Sequence, residues 1–258
     1  MPEGDTVYLS AKHLDAALHG AVLTRCDLRV PAFATVDLSG AVIHEVASRG
    51  KHLLMRIGDT TLHSHLKMEG SWHLYRHGTR WKRPAYSARA ILETADWVAV
   101  GFDLGTLDVV ATADEESVVG FLGPDLLGTD WNAALAELNL RSDPARPVGL
   151  ALLDQRNLAG LGNVYRNELC FLRGVLPTRP VGDVADIPTM VELAHRLIST
   201  NKDRSERTTT GRLRGQMTWV YRREGKPCLR CGTRIERGRL GDDEHTLRDT
   251  YWCPVCQS

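Results

Sequence analysis

Two cysteine doublets near the C-terminal end, Cys228-x2-Cys231 and Cys253-x2-Cys256, restrict what this chain can fold into more than any other feature. Thiols two residues apart form a tight knuckle with both sulfurs aimed at one point. Two knuckles supply the four soft ligands of a closed tetrahedral Zn²⁺. The stretch between the doublets is 21 residues, slightly longer than the usual ribbon gap, and Lys226-Pro227 and Pro254 supply the turns that knuckles favour. Four unrelated buried thiols or two disulfides are the competing readings, and the repeated spacing favours metal. Four protein ligands leave no open position for water, so the pattern predicts one structural Zn²⁺ per chain and no zinc catalysis. In so small a module, metal binding of about 10 kcal/mol is folding energy.

Charge is distributed in blocks. The chain has 32 basic and 32 acidic residues, yet residues 196–239 carry 13 Lys or Arg against four acids, a net +9. Residues 49–89 hold nine Lys or Arg against Asp59 and Glu69, whereas residues 93–143 hold 11 acids against Arg141 alone. Basic tracts are often only solvated surface. Beside a finger they read as a footprint for an anionic polymer, with the acidic block turned to solvent. No apolar run approaches the roughly 18–20 residues of a membrane span. The first residues lack a signal-peptide pattern, and zinc-type cysteines fit a reducing cytoplasm.

Period changes divide the chain. Val7, Ala11, Leu14 and Leu18 recur at helical spacing, with Asp5 or Thr6 as cap and Gly20 as stop. Short alternating runs follow at 22–30, 42–48, 51–57, 60–66, 90–94 and 106–111, which predicts a β-sandwich. After Gly123-Pro124 the pattern turns helical, at 131–138, 147–154, 163–171 and 188–200. The hinge is expected between 112 and 130. The expected class is α+β, with domains at 1–120, 121–220 and 221–258.

The opening Met1-Pro2-Glu3-Gly4 offers unusual chemistry. Removal of Met1 would free the secondary amine of Pro2, whose pKa of about 8 leaves a neutral fraction at physiological pH. Such an amine attacking an aldehyde-level carbon gives an iminium ion, a positive sink that acidifies the neighbouring carbon and eases β-elimination of a phosphate. Glu3 stands beside it as general acid and later base. Taken alone, a proline at position two usually means nothing. Arg49-Gly50-Lys51-His52 lies between two strand runs, where glycine can turn the chain and project Lys51, or simply leave a hairpin lysine in water. Leu158-Ala159-Gly160-Leu161-Gly162-Asn163 is a Gly-rich turn opening a helix, suited to an anion, with Asn163 as side-chain donor. Arg248, five residues ahead of Cys253, is expected at the tip of the finger hairpin, either holding phosphate or lying in solvent.

Taken in this order, these motifs resemble the bacterial formamidopyrimidine-DNA glycosylase and endonuclease VIII family across about residues 2–257. The resemblance rests on Pro2-Glu3, Arg49-Gly50-Lys51, Leu153-Asp154-Gln155 through Gly160-Leu161-Gly162-Asn163-Val164-Tyr165, Glu168, and Tyr251-Trp252-Cys253-Pro254-Val255-Cys256-Gln257. It implies a β-sandwich flanked by helices, a helix-two-turn-helix domain and a zinc finger, with DNA bound in a cleft. It implies Pro2 as Schiff-base nucleophile, Glu3 as the donor that opens the sugar, Lys51 as proton donor and phosphate contact for β-elimination, and Arg248 as a phosphate contact assisting δ-elimination. Asn163 would grip the DNA backbone. Glu168 would position the amine, or be a satisfied helix glutamate.

The oxidised-purine branch carries an Arg-rich turn ending Phe-Gly, and here that stretch is Phe102-Asp103-Leu104-Gly105, without arginine. Met-Pro-Glu-Gly and Tyr-Trp-Cys-Pro look more like endonuclease VIII, which removes oxidised pyrimidines. Within Ser64-His65-Leu66-Lys67-Met68-Glu69-Gly70, Lys67 and Met68 are the candidate DNA contacts, Met68 as a wedge into the duplex or as a core filler. Thr6 stands where relatives tend to keep a glutamate. The expected protein is a monomeric, cytoplasmic, nucleoid-associated glycosylase and abasic-site lyase acting on damaged duplex DNA, with single-stranded or bubble DNA as further substrates. A catalytically idle lesion-binding protein and a zinc-ribbon transcription or translation factor are the alternatives.

Overall fold

The computed structural model describes residues 2–258. Met1, whose removal the Pro2 chemistry requires, lies outside them. The class is α+β, and the chain forms two compact units that meet in sequence at Phe121/Leu122, inside the expected hinge.

The first unit begins with α1 (Gly4–Leu18), followed by eight strands: β1 (Arg25–Leu28), β2 (Ile43–Arg49), β3 (His52–Ile57), β4 (Thr60–His65), β5 (Ser71–Tyr75), β6 (Ala88–Glu93), β7 (Val98–Phe102) and β8 (Thr106–Ala111). A short helix, α2 (Glu116–Val119), closes it. The strands form two antiparallel four-stranded sheets, ordered β2-β3-β4-β8 and β1-β6-β7-β5. Period-2 alternation sorts their side chains. Leu53, Met55 and Ile57 of β3, Ala90 and Leu92 of β6, and Ala99 of β7 meet Val7, Leu14 and Leu18 of α1 in the main core. The alternate residues Ile91, Val98, Val100 and Phe102 form a second cluster on the outer face, covered by Trp81 from the connection 76–87.

That cover explains one of two strands the sequence reading missed. Every residue of β7 is buried, so Val98–Phe102 shows no alternation, and Ser71–Tyr75 is too short and mixed to stand out. The expected strand at 22–30 starts only at Arg25, with Val22 making an isolated bridge to Val42.

The second unit contains α3 (Ala133–Arg141), α4 (Val148–Ala151), α5 (Asn163–Arg173) and α6 (Ile187–Asn201), then a hairpin of β9 (Glu236–Leu240) and β10 (Arg248–Trp252). Asn132 caps α3 through Leu135 N–H (3.0 Å), and Asp186 caps α6 through Thr189 N–H (3.1 Å). Gly174, at φ +68°, ends α5. The expected helix at 147–154 is only one turn. Leu140, Leu152, Leu161, Tyr165, Leu169 and Ile198 are among the core residues of the helical part. Phe171 of α5 instead joins Val220, Cys228, Ile235, Tyr251 and Cys253, so the finger and the helices share one unit. Among the described residues no helix is long and apolar enough to cross a membrane.

Candidate nucleic-acid active site

Pro2 is half-buried and leads directly into α1. Glu3 is the N-cap: its backbone is extended (φ −125°, ψ −175°), and its carbonyl accepts from Thr6 N–H (3.0 Å) and Val7 N–H (3.1 Å). Its side chain has no solvent exposure, at a helix end whose dipole favours a carboxylate. The cap was expected at Asp5 or Thr6, but both lie inside the first turn. There Asp5, only 4% exposed, accepts from the N–H (2.8 Å) and hydroxyl (3.3 Å) of Thr6. Asp5 is thus a second buried acid near the terminus that sequence reasoning spent on a cap.

α1 packs on β2 and β3, and the two-residue turn between these strands carries Lys51. Gly50, the first turn residue, sits at φ +58°, a conformation that a side chain would strain. Beside the turn lies an array the sequence did not disclose. Asp108 Oδ2 is 2.9 Å from His63 Nδ1, and His63 Nε2 is 2.8 Å from His52 Nδ1. A carboxylate only accepts, so His63 donates from Nδ1 and accepts at Nε2, and His52 donates in turn. Asp108 thereby sets both tautomers. The His52 and His63 rings stack at 5.0 Å, and His65 meets His52 edge-on at 4.9 Å.

Burial, reinforced by the electrostatic influence of His65, His63, Lys67 and Lys51, brings His52 down to about 3. Burial with Lys67 and Lys51 brings His65 down to about 4. Both rings are therefore neutral at physiological pH, and the two lysines act on the same histidine pair. Lys67 N–H donates to His65 Nδ1 (2.9 Å) and sits at φ +52° in the turn after β4. Met68, the next residue, is 55% exposed, which removes its reading as a core filler.

In the second unit, Asn163 is the first residue of α5 after Gly160-Leu161-Gly162. Its amide is 6% exposed and donates to Asp249 carbonyl (2.9 Å), with its oxygen accepting from Arg166. Arg166 also donates to Asp249 carbonyl (3.0 Å), and Asn167 Oδ1 accepts Tyr251 N–H (2.7 Å). Side chains of α5 thus pair with the backbone of β10. One N–H of the expected donor at Asn163 is engaged by the hairpin. Glu168, fully buried, accepts from Trp219 N–H (2.7 Å), Val220 N–H (2.9 Å), Tyr221 N–H (2.9 Å) and the Thr209 hydroxyl. Burial pushes its carboxyl upward while these four donors pull it back. The satisfied-glutamate reading is the one this geometry favours. Arg248 is not at the hairpin tip: it opens β10, opposite Leu240, with residues 241–247 beyond it. Its side chain is exposed and donates to Leu247 carbonyl (3.1 Å).

The four cysteine sulfurs lie within 4.8 Å of one another, all as free thiols. Cys228–Cys256 and Cys231–Cys253 are 3.9 and 3.5 Å apart, bracketing the edge of about 3.8 Å that a tetrahedron with 2.3 Å metal–sulfur bonds requires. The cluster can hold a metal ion, and disulfide pairing is absent.

Two family descriptions match consecutive parts of the chain: formamidopyrimidine-DNA glycosylase N-terminal domain over residues 1–106, and formamidopyrimidine-DNA glycosylase H2TH domain over residues 122–201. The chain belongs to the formamidopyrimidine-DNA glycosylase family. Within that family it is 55% identical to the probable endonuclease 8 2 of Streptomyces coelicolor, covering 100% of this chain and 94% of the relative. It is 54% identical to the DNA-(apurinic or apyrimidinic site) lyase Nei2 of Mycolicibacterium smegmatis, over 100% and 99%. A solved MutM in complex with DNA containing carbocyclic 8-oxo-G shares the glycosylase fold, with a TM-score of 0.83 at 23% identity over the whole of both chains. The match to the glycosylase N-terminal domain spans Pro2, Glu3, Lys51, Lys67 and Met68, and the H2TH match spans Asn163 and Glu168.

Proposed function

We propose that this protein is a bifunctional DNA glycosylase and abasic-site lyase of base excision repair, closer in specificity to endonuclease VIII than to the oxidised-purine branch and directed at oxidised pyrimidines. The observation that carries this reading is the full-length likeness to an abasic-site lyase at 54% identity in a chain that opens Pro2-Glu3. Damaged duplex DNA is the partner, and single-stranded or bubble DNA offers the same sugar chemistry.

The Pro2 nitrogen attacks C1′ of the damaged nucleotide, the bond from C1′ to the base breaks, and the base departs with the proton lost from the attacking amine. Glu3 protonates the sugar ring oxygen, opening the ring and leaving a Pro2 iminium on the chain. The iminium draws electrons from C2′, whose proton passes to the Glu3 carboxylate left by ring opening, and the 3′-phosphate departs by β-elimination with Lys51 as proton donor and phosphate contact. A second elimination releases the 5′-phosphate, with Arg248 engaging that phosphate. Water then hydrolyses the iminium and frees Pro2.

The neutral His52 and His65 keep further positive charge away from Lys51 and Lys67, leaving the two ammonium groups as the cations that meet phosphate. Met68 enters the base stack as the target nucleotide swings out. The part of Asn163 is to hold hairpin and helix in register, so that the positive end of α5 serves the DNA backbone. Cys228, Cys231, Cys253 and Cys256 hold one structural Zn²⁺, which orders the finger and takes no part in the reaction. The protein works as a monomer on the nucleoid of the cytoplasm.

The deciding experiment is borohydride reduction in the presence of a duplex carrying an oxidised pyrimidine. A covalent protein–DNA adduct on the N-terminal peptide is expected. Its absence in protein whose intact mass shows Met1 removed would eliminate Pro2 as nucleophile, and cleavage without an adduct would mean a different reaction.

A further inference from the structure

Resting on the wedge role given to Met68, we propose that Arg83 is a positioning residue that clamps the turn bearing Met68 and thereby sets the preference for duplex over single-stranded substrate. Two turns of the first unit lie against each other at the end of the sheets. One is Leu66–Gly70, closed by Gly70 N–H to Leu66 carbonyl (2.9 Å). The other follows β7, where Asp103 adopts φ +46° and its N–H donates to Ser87 carbonyl (2.8 Å). Gly105 N–H joins them by donating to His65 carbonyl (3.1 Å).

The contact leaves no spare volume. A Cβ on Gly70 would fall 2.5 Å from Leu66 carbonyl oxygen and 3.0 Å from that of Asp103. A Cβ on Gly105 would fall 2.1 Å from Lys67 Cγ, so the Lys67 stem lies flat on that glycine. Neither turn 66–70 nor turn 102–105 holds an arginine of its own. Arg83 reaches both from the connection 76–87. Its Nη1 donates to Glu69 carbonyl (2.8 Å) and Ser71 Oγ (3.1 Å), while Nη2 is 2.5 Å from Asp103 Oδ2. The guanidinium carbon stands 5.9 Å from the Phe102 ring centroid.

The connection is itself fixed. Trp81 packs edge-on to Phe102 at 5.8 Å, and Lys82 N–H donates to the Tyr75 hydroxyl (3.1 Å). The Arg83 contacts fall on residues 69 and 71, just after the exposed Met68, and on 102 and 103 beside the turn packed against it. Its fork is spent on the protein and is a brace, not a reader of bases. Opening a duplex stack works against the wedge, and a wedge on an unbraced turn gives way. A strand with no partner has no such stack to open, so the brace matters only for duplex.

The test compares strand cleavage at an abasic site in a duplex with cleavage of the same strand alone. Should single strands prove inert, the comparison substrate is a duplex whose pairs flanking the site are mismatched. Arg83→Ala is expected to lower kcat/KM on duplex at least tenfold and to leave the open substrate within twofold. Arg83→Lys keeps stem and charge but cannot bridge the acceptors. It should show the same selective loss, and it carries the test if the alanine variant does not fold. Arg83→Ala combined with Met68→Ala should be no worse than Met68→Ala alone. Equal loss on both substrates, undiminished duplex cleavage, or additive losses in the double variant would overturn the clamp. Wild-type protein that yields neither cleavage nor adduct on any substrate would instead overturn the functional reading on which it rests.

Discussion

Glu3 and Asp5 show how much one turn of helix decides. Both are buried at the start of α1, and the Asp5 carboxylate is occupied by Thr6, whereas Glu3 stands next to Pro2. Glu3→Gln keeps shape and burial but cannot donate a carboxyl proton. Base removal should fall by about 10²–10⁴-fold, the range of general acid catalysis, while cleavage at a preformed abasic site falls far less; equal losses measured on matched substrates would place the proton donor elsewhere. The histidines give a pH prediction with a definite sign. His52 and His65 titrate at about 3 and about 4 when folded, below the value of about 6.5 for an unfolded chain. The unfolded state therefore binds more protons between these limits. The stability they lend is fully present above pH 6.5 and falls on acidification toward pH 4, by on the order of a few kcal/mol. Urea unfolding at pH 7 and pH 5 checks this, and His52→Gln should flatten the difference. Pro2, Glu3 and Lys51 could be singled out as candidates because they sit in short linear motifs. The His52–His63–Asp108 array could not, since strand register alone brings residues 11 and 45 positions apart into contact.

Among the elements, α5 diverges most from its expected role. Asn163 was read as a DNA contact and Glu168 as either an amine-positioning or a satisfied helix carboxylate; with Arg166 and Asn167 they form a buried polar face that fastens β10 and the segment 219–221. A linear motif reports which residues matter but not whether their donors are already taken. Glu168→Gln would set an amide N–H₂ against buried donors and should cost about 3 kcal/mol, seen as a lower Tm with adduct formation retained at low temperature. The four longer helices α1, α3, α5 and α6 were legible within a few residues because one apolar face alternates with polar caps. β7 escaped because both of its faces are covered, which erases the period a reader relies on.

At the scale of the molecule, a zero net charge concealed the two basic blocks, and the cysteine doublets announced the finger. One zinc per chain is expected by elemental analysis. A strong chelator should release it and weaken duplex binding at unchanged N-terminal chemistry, measured as adduct formation on a short single strand. Arg248→Ala should lessen the steepness of log affinity against log salt by about 1, the share of one phosphate contact; an identical slope would mean the side chain points away from the DNA. The finger hairpin has a further consequence. A two-stranded ribbon standing alone presents bare amide edges, and here α5 covers one of them at Asp249 and Tyr251 with side chains instead of a third strand. The ribbon is therefore no portable cassette. Grafted onto another scaffold without its helix, it would seek strangers' backbones and clump, so any chimera exchanging fingers between relatives must carry residues 163–168 along with the cysteines.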